Sequence, residues 1–497
     1  MSVNGPRTAD RGPHLALAMV LALGACSPAL VPAPAEPARA RVEAGLASVG
    51  FNLDHLDFLG EDVVVDGDTL RLVHIYAEAP DWRFVGDDDE GLACVDDAAR
   101  AAVVYLRHFA LTGDQGSRAT AIKLLRFVRR LQAPSGLFYN FVWDRALRVN
   151  TTHPNSVADE VSWWTARAVW ALGEGARVLG ATDPDEAALA VAALDRVAPH
   201  LDRLLARYPE TVDVTGDGAR IFPAWLVQET AADATSELLL GLVALHDVAP
   251  TTARGRRVRL FAEGLAGLCF GDLATAPYGG HASWSGGWHG WGNSQTQALA
   301  EAGRLGHAGP DALASARAEA ETLYAYLLVE GWLHHLDAET GEAVRFEQIA
   351  YDVRPAAVGL VRLFEATGDE RFAVMAGLAA AWFHGLNTAS ATMADPATGR
   401  GYDGVLGPDR TNPNAGAEST IEAQFTLLEV AAHPEAAAWA WATADPPESR
   451  LWQGRTVRSR QFHGPSLAVV VLDPDASASH VLVGPDAQAF LAASRTR

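Results

Sequence analysis

GLACVDDAARAAVVYLRHFALTG, residues 91–113, opens near two adjacent carboxylates, Asp96 and Asp97, and runs straight into an apolar helical pattern. Ala98, Ala99, Ala102, Val103, Leu106 and Phe109 recur at three- and four-residue steps. A helix that begins with charge and is apolar on nearly every face belongs in an interior, with its N-terminus open to a cavity. Five more times along the chain a polar or acidic cluster opens a small-residue helix, and an amphipathic helix follows.

The spacing predicts six helical pairs. Asp96–Leu111 pairs with Ser117–Leu131, Asp159–Leu179 with Asp185–Tyr208, and Thr230–Val248 with Thr252–Leu268. Gly292–Leu305 pairs with Asp311–Val329, Tyr351–Thr367 with Arg371–Leu386, and Glu418–Ala432 with the shorter Pro434–Thr443. The second member of each pair carries Arg and Glu on one face, as an outer helix does. Thr112-Gly113-Asp114 and Thr367-Gly368-Asp369 supply glycine where a helix ends. Six inner and six outer helices predict a mainly α, closed (α/α)6 toroid over 91–445. A lead-in segment, 42–90, precedes it with a β-hairpin at 62–77. A C-terminal appendage, 446–497, follows with strand-like runs at 466–472 and 480–483.

Composition narrows the function. The 497 residues are 49% hydrophobic, enough for a sizeable core, and carry a net charge of −22. That acidic balance argues against nucleic acid as a partner, and arginine carries all the positive charge except Lys123. Arg7 and Arg11 precede an apolar run that ends Leu23-Gly24-Ala25-Cys26, too short to span a bilayer as a mature helix. It resembles a bacterial lipobox, which implies a signal peptide over 1–25 and lipidation at Cys26. A Pro/Ala-rich tether over 26–41 and anchoring at the bacterial cell envelope would follow. Cys94 and Cys269 lie among apolar neighbours and read as core thiols. The acidic run 87–90 reads as a solvated loop. No metal or organic cofactor is expected.

The layout resembles the six-hairpin, (α/α)6-barrel superfamily of glycoside hydrolases, with some polysaccharide lyases and sugar epimerases. The phrases that carry it are Val95 to Ala101, Ala166 to Gly173, Trp291 to Gln295 and Asn414 to Thr420. The resemblance implies a carbohydrate-active enzyme acting on an oligo- or polysaccharide. Parallel inner helices would ring one mouth with Asp96, Asp97, Asp159, Glu160, Glu237, Asn293, Gln295, Tyr351, Asp352 and Glu418. Glycoside cleavage needs two carboxyl groups flanking the bond. Asp97, assisted by Asp96, is the candidate base, and Glu418 the candidate acid.

Several of these residues also have plain structural readings. Asp96 fits an N-cap or an ion pair with Arg100 four residues on, Asp159 an N-cap, and Glu422 a capping box. Glu160 is then the better ligand contact. The loop 278–291 holds Trp284, Trp288 and Trp291, which with Trp163, Trp164, Tyr139 and Asn140 would face the sugar. Asn293, Tyr351, Asp352 and Asn414 complete the expected binding set. The rivals are a non-catalytic glycan-binding lipoprotein, a lyase drafting His153 with Asn155 or His281 with Tyr278, and an epimerase. For the epimerase, His334 and His335 form the only adjacent histidine pair.

Overall fold

Alanine and glycine let inner helices approach closely, and this sequence spends them at the crossings. A Cβ on Gly173 would lie 2.3 Å from the carbonyl oxygen of Gly241, and one on Gly241 would lie 2.3 Å from that of Val169. Only hydrogen fits between these two helices. The computed structural model describes residues 36–336 and 340–496. The expected signal peptide and Cys26 lie outside the described residues.

Helices α1 (Glu36–Ser48) and α2 (Asp54–Leu59) come first, then the hairpin Gly60–Val65 with Asp68–Val73. Inner and outer helices then alternate: α3 (Val95–Thr112) with α4 (Gln115–Arg130), α5 (Trp163–Leu179) with α6 (Pro184–Leu205), and α7 (Ala232–Val248) with α8 (Thr252–Ala266). Next, α9 (Gln295–Arg304) pairs with α10 (Pro310–Glu319), which continues through a π-helical turn into α11 (Ala325–Glu330). Last come α12 (Ala350–Thr367) with α13 (Glu370–Ala380), and α14 (Ala417–Ala431) with α15 (Pro434–Ala437). The inner helices pack in the order α3, α5, α7, α9, α12, α14 and back to α3, so the ring closes.

The sixth outer position departs from expectation. Helix α15 is a single turn, and α1 lies against α14, α3 and α15 instead. Gly45 permits the contact, since a Cβ there would meet the carbonyl oxygen of Ala431 at 2.8 Å. The expected tether is therefore helical from Glu36 onward, over an Ala- and Arg-rich run with high helix propensity.

Inner helices hand over to outer ones in tight turns. Gly113 and Gly368 adopt the left-handed conformation at these C-caps, with φ of 75° and 68°. Returning connections run to tens of residues, so loops collect at the inner N-termini. The opposite end is closed by charge. Arg107 donates to Glu174 at 2.6 Å, and Arg177 bonds both Glu174 and Glu301 at 2.7 and 3.0 Å. Arg304 bonds Glu301 at 3.0 Å, and Arg362 pairs with Glu365 at 2.6 Å and with Glu429. Four guanidiniums thus match four carboxylates across five inner helices. Between this plug and the mouth lies an apolar layer, with Trp170 and Phe425 at 5.7 Å between centroids.

After α15 the chain forms a six-stranded antiparallel sheet, in which the two expected strands are joined by Glu448–Trp452, Arg455–His463 and two short edge segments. One face (Phe462, Ala468, Val470, Leu472) joins the main core. On the other face, Val457, Val469 and Val471 pack on Phe490 of α16 (Pro485–Ala493). Arg458 grips both oxygens of Glu330 at 2.6 and 2.8 Å, fastening the sheet to α11.

Candidate functional site

At the loop-bearing end, a cavity of about 390 Å³ opens between the starts of α3, α12 and α14, with Arg167 of α5 reaching in. Asp96, Asp97, Tyr351 and Glu418 all line it, as do Tyr76, Glu90, Arg100, Glu347 and Asp403. Inner-helix starts far apart in sequence therefore converge.

Three buried arginines order the floor. Arg100 donates to Asp97 at 2.7 Å, to Glu422 at 2.9 Å and to Glu418 at 3.1 Å. Arg167 holds Asp96 and Glu237, both at 2.9 Å, and donates to the Tyr351 hydroxyl at 2.7 Å. Arg354 joins Glu422 to Glu237, reaching the latter at 3.0 Å. All three guanidiniums face the Tyr351 ring, 4.8 to 5.3 Å from its centroid. A buried ion pair costs desolvation, and removing one partner costs more, so this lattice keeps the floor rigid.

The lattice corrects several sequence expectations. Asp97 has both oxygens occupied, one by Arg100 and the other by the Cys94 thiol at 3.2 Å. Burial pushes its carboxyl above the usual range, with Arg100 pulling the other way. Asp97 is thus an anchor for Arg100, and Asp96 is the carboxylate turned to the cavity. Arg100 pairs with Asp97, three residues away, and touches Asp96 only at its backbone oxygen. Cys94, not Asp96, caps α3, and Ser162, not Asp159, caps α5. Glu422 makes no capping box because α14 already begins at Ala417; it lies in the floor between Arg100 and Arg354. Glu418 reaches the cavity half-exposed, paired with Arg100.

The expected binding residues divide. Asn140 stands behind Asp96, accepting from its amide at 3.1 Å and donating to its carboxylate at 3.0 Å. Trp163 packs beneath Arg167, 4.9 Å from ring centroid to guanidinium, and against Gly292. Trp164, one residue and a 100° turn further on, points into the core and donates to the Phe138 carbonyl at 2.7 Å. Trp288 is buried, and Asn293 bonds the His281 carbonyl at 3.1 Å. Asn414 accepts from the Ala79 amide at 3.1 Å. Tyr139 and Glu160 lie off the cavity lining, Glu160 held by Gln228. Asp352 is buried and accepts from the Ile349 amide at 2.9 Å at the start of its own helix.

Two acidic residues that helix periodicity did not single out complete the cavity. Gln348 and Val405 form an antiparallel bridge, with bonds of 3.1 and 2.8 Å in the two directions. The bridge lays Glu347 over Gly404, where a Cβ would lie 2.4 Å from the carboxyl oxygen. Burial and the neighbouring Asp403 charge raise Glu347 above the usual carboxylate range. Burial raises Asp403 as well, against a 2.7 Å bond from Ser419. Glu347 lies just before α12, whereas Asp403 lies well upstream of α14, with a short strand pair between them.

Off the cavity lining, the first turns of α7 and α12 carry two histidine–aspartate pairs. His289 bonds Asp233 at 2.9 Å, and His334 lies 3.4 Å from Asp352. The Trp291 indole stacks on His289 at 3.7 Å and lies 4.6 Å from His334. Burial pushes Asp352 up to about 6. Burial pulls His334 down, but the Asp352 bond and charge outweigh it and hold the imidazole above its usual value.

Among solved structures, a sugar epimerase from a ruminal bacterium matches with a TM-score of 0.53 at 13% identity, covering 79% of this chain and 98% of its own. A D-mannose isomerase gives 0.52 at 13% identity, over 80% and 98%. A cellobiose 2-epimerase from Bacillus thermoamylovorans gives 0.51 at 13% identity, over 78% and 98%. The chain has their fold. It is the six-hairpin (α/α)6 toroid, as the sequence resemblance implied. No protein-family model and no curated protein matches the sequence.

Proposed function

We propose that this chain is a carbohydrate-active enzyme that hydrolyses a glycosidic bond at the toroid mouth. The carrying observation is Glu347, a cavity carboxyl raised by burial and by Asp403, as a proton donor to a leaving oxygen requires. Asp96, oriented by Arg167 and Asn140, is the second carboxyl and acts on water or on the sugar itself. The saccharide substrates named for structures of the same fold support the class of ligand. Purified protein on a glycan panel, read by new reducing ends, tests this. Glu347→Gln and Asp96→Asn should each lower turnover about a hundredfold or more while binding persists. Unchanged turnover in both discards the assignment, and binding without turnover in the wild type leaves a glycan-binding protein.

A second reading rests on the two histidine–aspartate pairs. Two imidazoles, each backed by a carboxyl and flanking Trp291, suit proton transfer at a carbon beside a sugar carbonyl, which is epimerisation or isomerisation. Deuterium uptake from solvent into a reducing sugar, abolished by His334→Asn, would favour it. We further read the chain as an exported lipoprotein attached through Cys26. Loss of fatty-acid labelling in Cys26→Ser tests that reading.

A further inference from the structure

The charge of the cavity selects among saccharides, an inference that rests on the carbohydrate reading above. Six carboxyl groups line it: Glu90, Asp96, Asp97, Glu347, Asp403 and Glu418. The only cationic side chains on the lining are Arg100 and Arg167. Both are committed, Arg100 to Asp97, Glu418 and Glu422, and Arg167 to Asp96 and Glu237. Arg354 behind the floor is likewise taken up by Glu237 and Glu422. Among the described residues, no guanidinium or ammonium lies within ion-pair distance of Glu90, Glu347 or Asp403. Lys123 is paired with Asp62 on the hairpin.

Recognition of a uronate, sulfate or phosphate uses cations whose donors remain for the ligand, most often a bidentate arginine. This mouth has none to spare. With Glu347 holding the proton it donates, the charge without a cationic partner lies on Glu90 and Asp403, and a concave wall on a chain of net charge −22 concentrates that negative potential. We infer that the sugar ring seated in this mouth carries no acidic substituent, and that an unacetylated amino sugar is its best charge match, ahead of the neutral ring. The same charge pattern argues against polyuronate as the substrate.

Calorimetric titration of the wild-type protein at neutral pH and low salt tests the ranking. The ligands are matched methyl glycosides of the amino, neutral and uronic forms of glucose, galactose and mannose. For the sugar that fits, the amino form should bind about a hundredfold more tightly than the uronic form, with the neutral form between. The gap should contract in high salt, as screening shortens the reach of the carboxyls. Asp403→Asn should narrow it about tenfold, and Glu90→Gln, at the rim, provides a second variant that does not touch the floor. A uronic form that binds as well as its neutral counterpart overturns the inference and leaves the carbohydrate reading standing. Failure of every sugar in all three forms overturns both.

Discussion

Glu301→Gln keeps the shape of a buried side chain in the plug and removes its charge. Arg177 reaches the carboxylate at 3.0 Å, and Arg304 donates to it twice, at 3.0 Å each. Burial alone pushes the carboxyl up, but Arg362, Arg107, Arg177 and Arg304 together outweigh it and bring it from 4.5 to about 2. At about 1.36 kcal/mol per pH unit, that depression contributes about 3 kcal/mol to stability at neutral pH. The side chain is only 5% exposed, so solvent screening takes little of it. A depressed carboxyl stabilises fully above its unfolded value of 4.5, and the contribution is lost as pH falls toward about 2. Urea unfolding should therefore place the variant about 3 kcal/mol below wild type near neutral pH, narrowing to about 2 kcal/mol at about pH 3.5. Breaking a buried pair costs about 3–5 kcal/mol by direct comparison, which agrees at its lower end. A gap that does not change with pH, or one below about 1 kcal/mol at neutral pH, would refute the assignment of the carboxylate as charged and held by its arginines.

The remaining expectations concern the mouth and the helix contacts. Because Glu347 is raised, wild-type turnover should fall as pH rises through a value above the ordinary glutamate 4.5, and a pH–rate profile reads this directly. Glu422→Gln leaves Arg100 and Arg354 short of a shared carboxylate and should cost about 3–5 kcal/mol in denaturant unfolding. Gly241→Ala forces a methyl against the Val169 carbonyl and should cost about 1–3 kcal/mol, seen as a lower melting temperature. Thr251→Ala removes the oxygen that accepts from the Arg254 amide at 3.1 Å and should cost about 1 kcal/mol.

The inner ring was legible because each of its helices announces itself twice, by small residues at helical spacing and by polar residues at its start. The sixth outer position was not. Helix α1 has little amphipathic pattern of its own, and its place across α14 depends on a long-range contact at Gly45. Within the mouth, periodicity located the helix starts but could not fix their rotation. Asp96 and Asp97 are neighbours in sequence, as are Trp163 and Trp164, and a single 100° step separates a carboxylate held by Arg167 from one locked to Arg100, and an indole under Arg167 from one in the core. Glu347 and Asp403 were out of reach for another reason. Both lie in connections with no period to read, and only the Gln348–Val405 bridge brings them together. The arginines were visible as residues, but a charged side chain in the middle of an apolar helix reads as an outward-facing one until its partners on other helices are known.

The plug of paired arginines and glutamates has one more implication. With the far end of the axis sealed, a bound molecule has a single doorway, and arrival and departure share it. A polymer cannot be fed through from one side to the other, so one guest must clear the vestibule before the next enters. If the proposed hydrolysis takes place there, release of product is part of the cycle, not something that follows it.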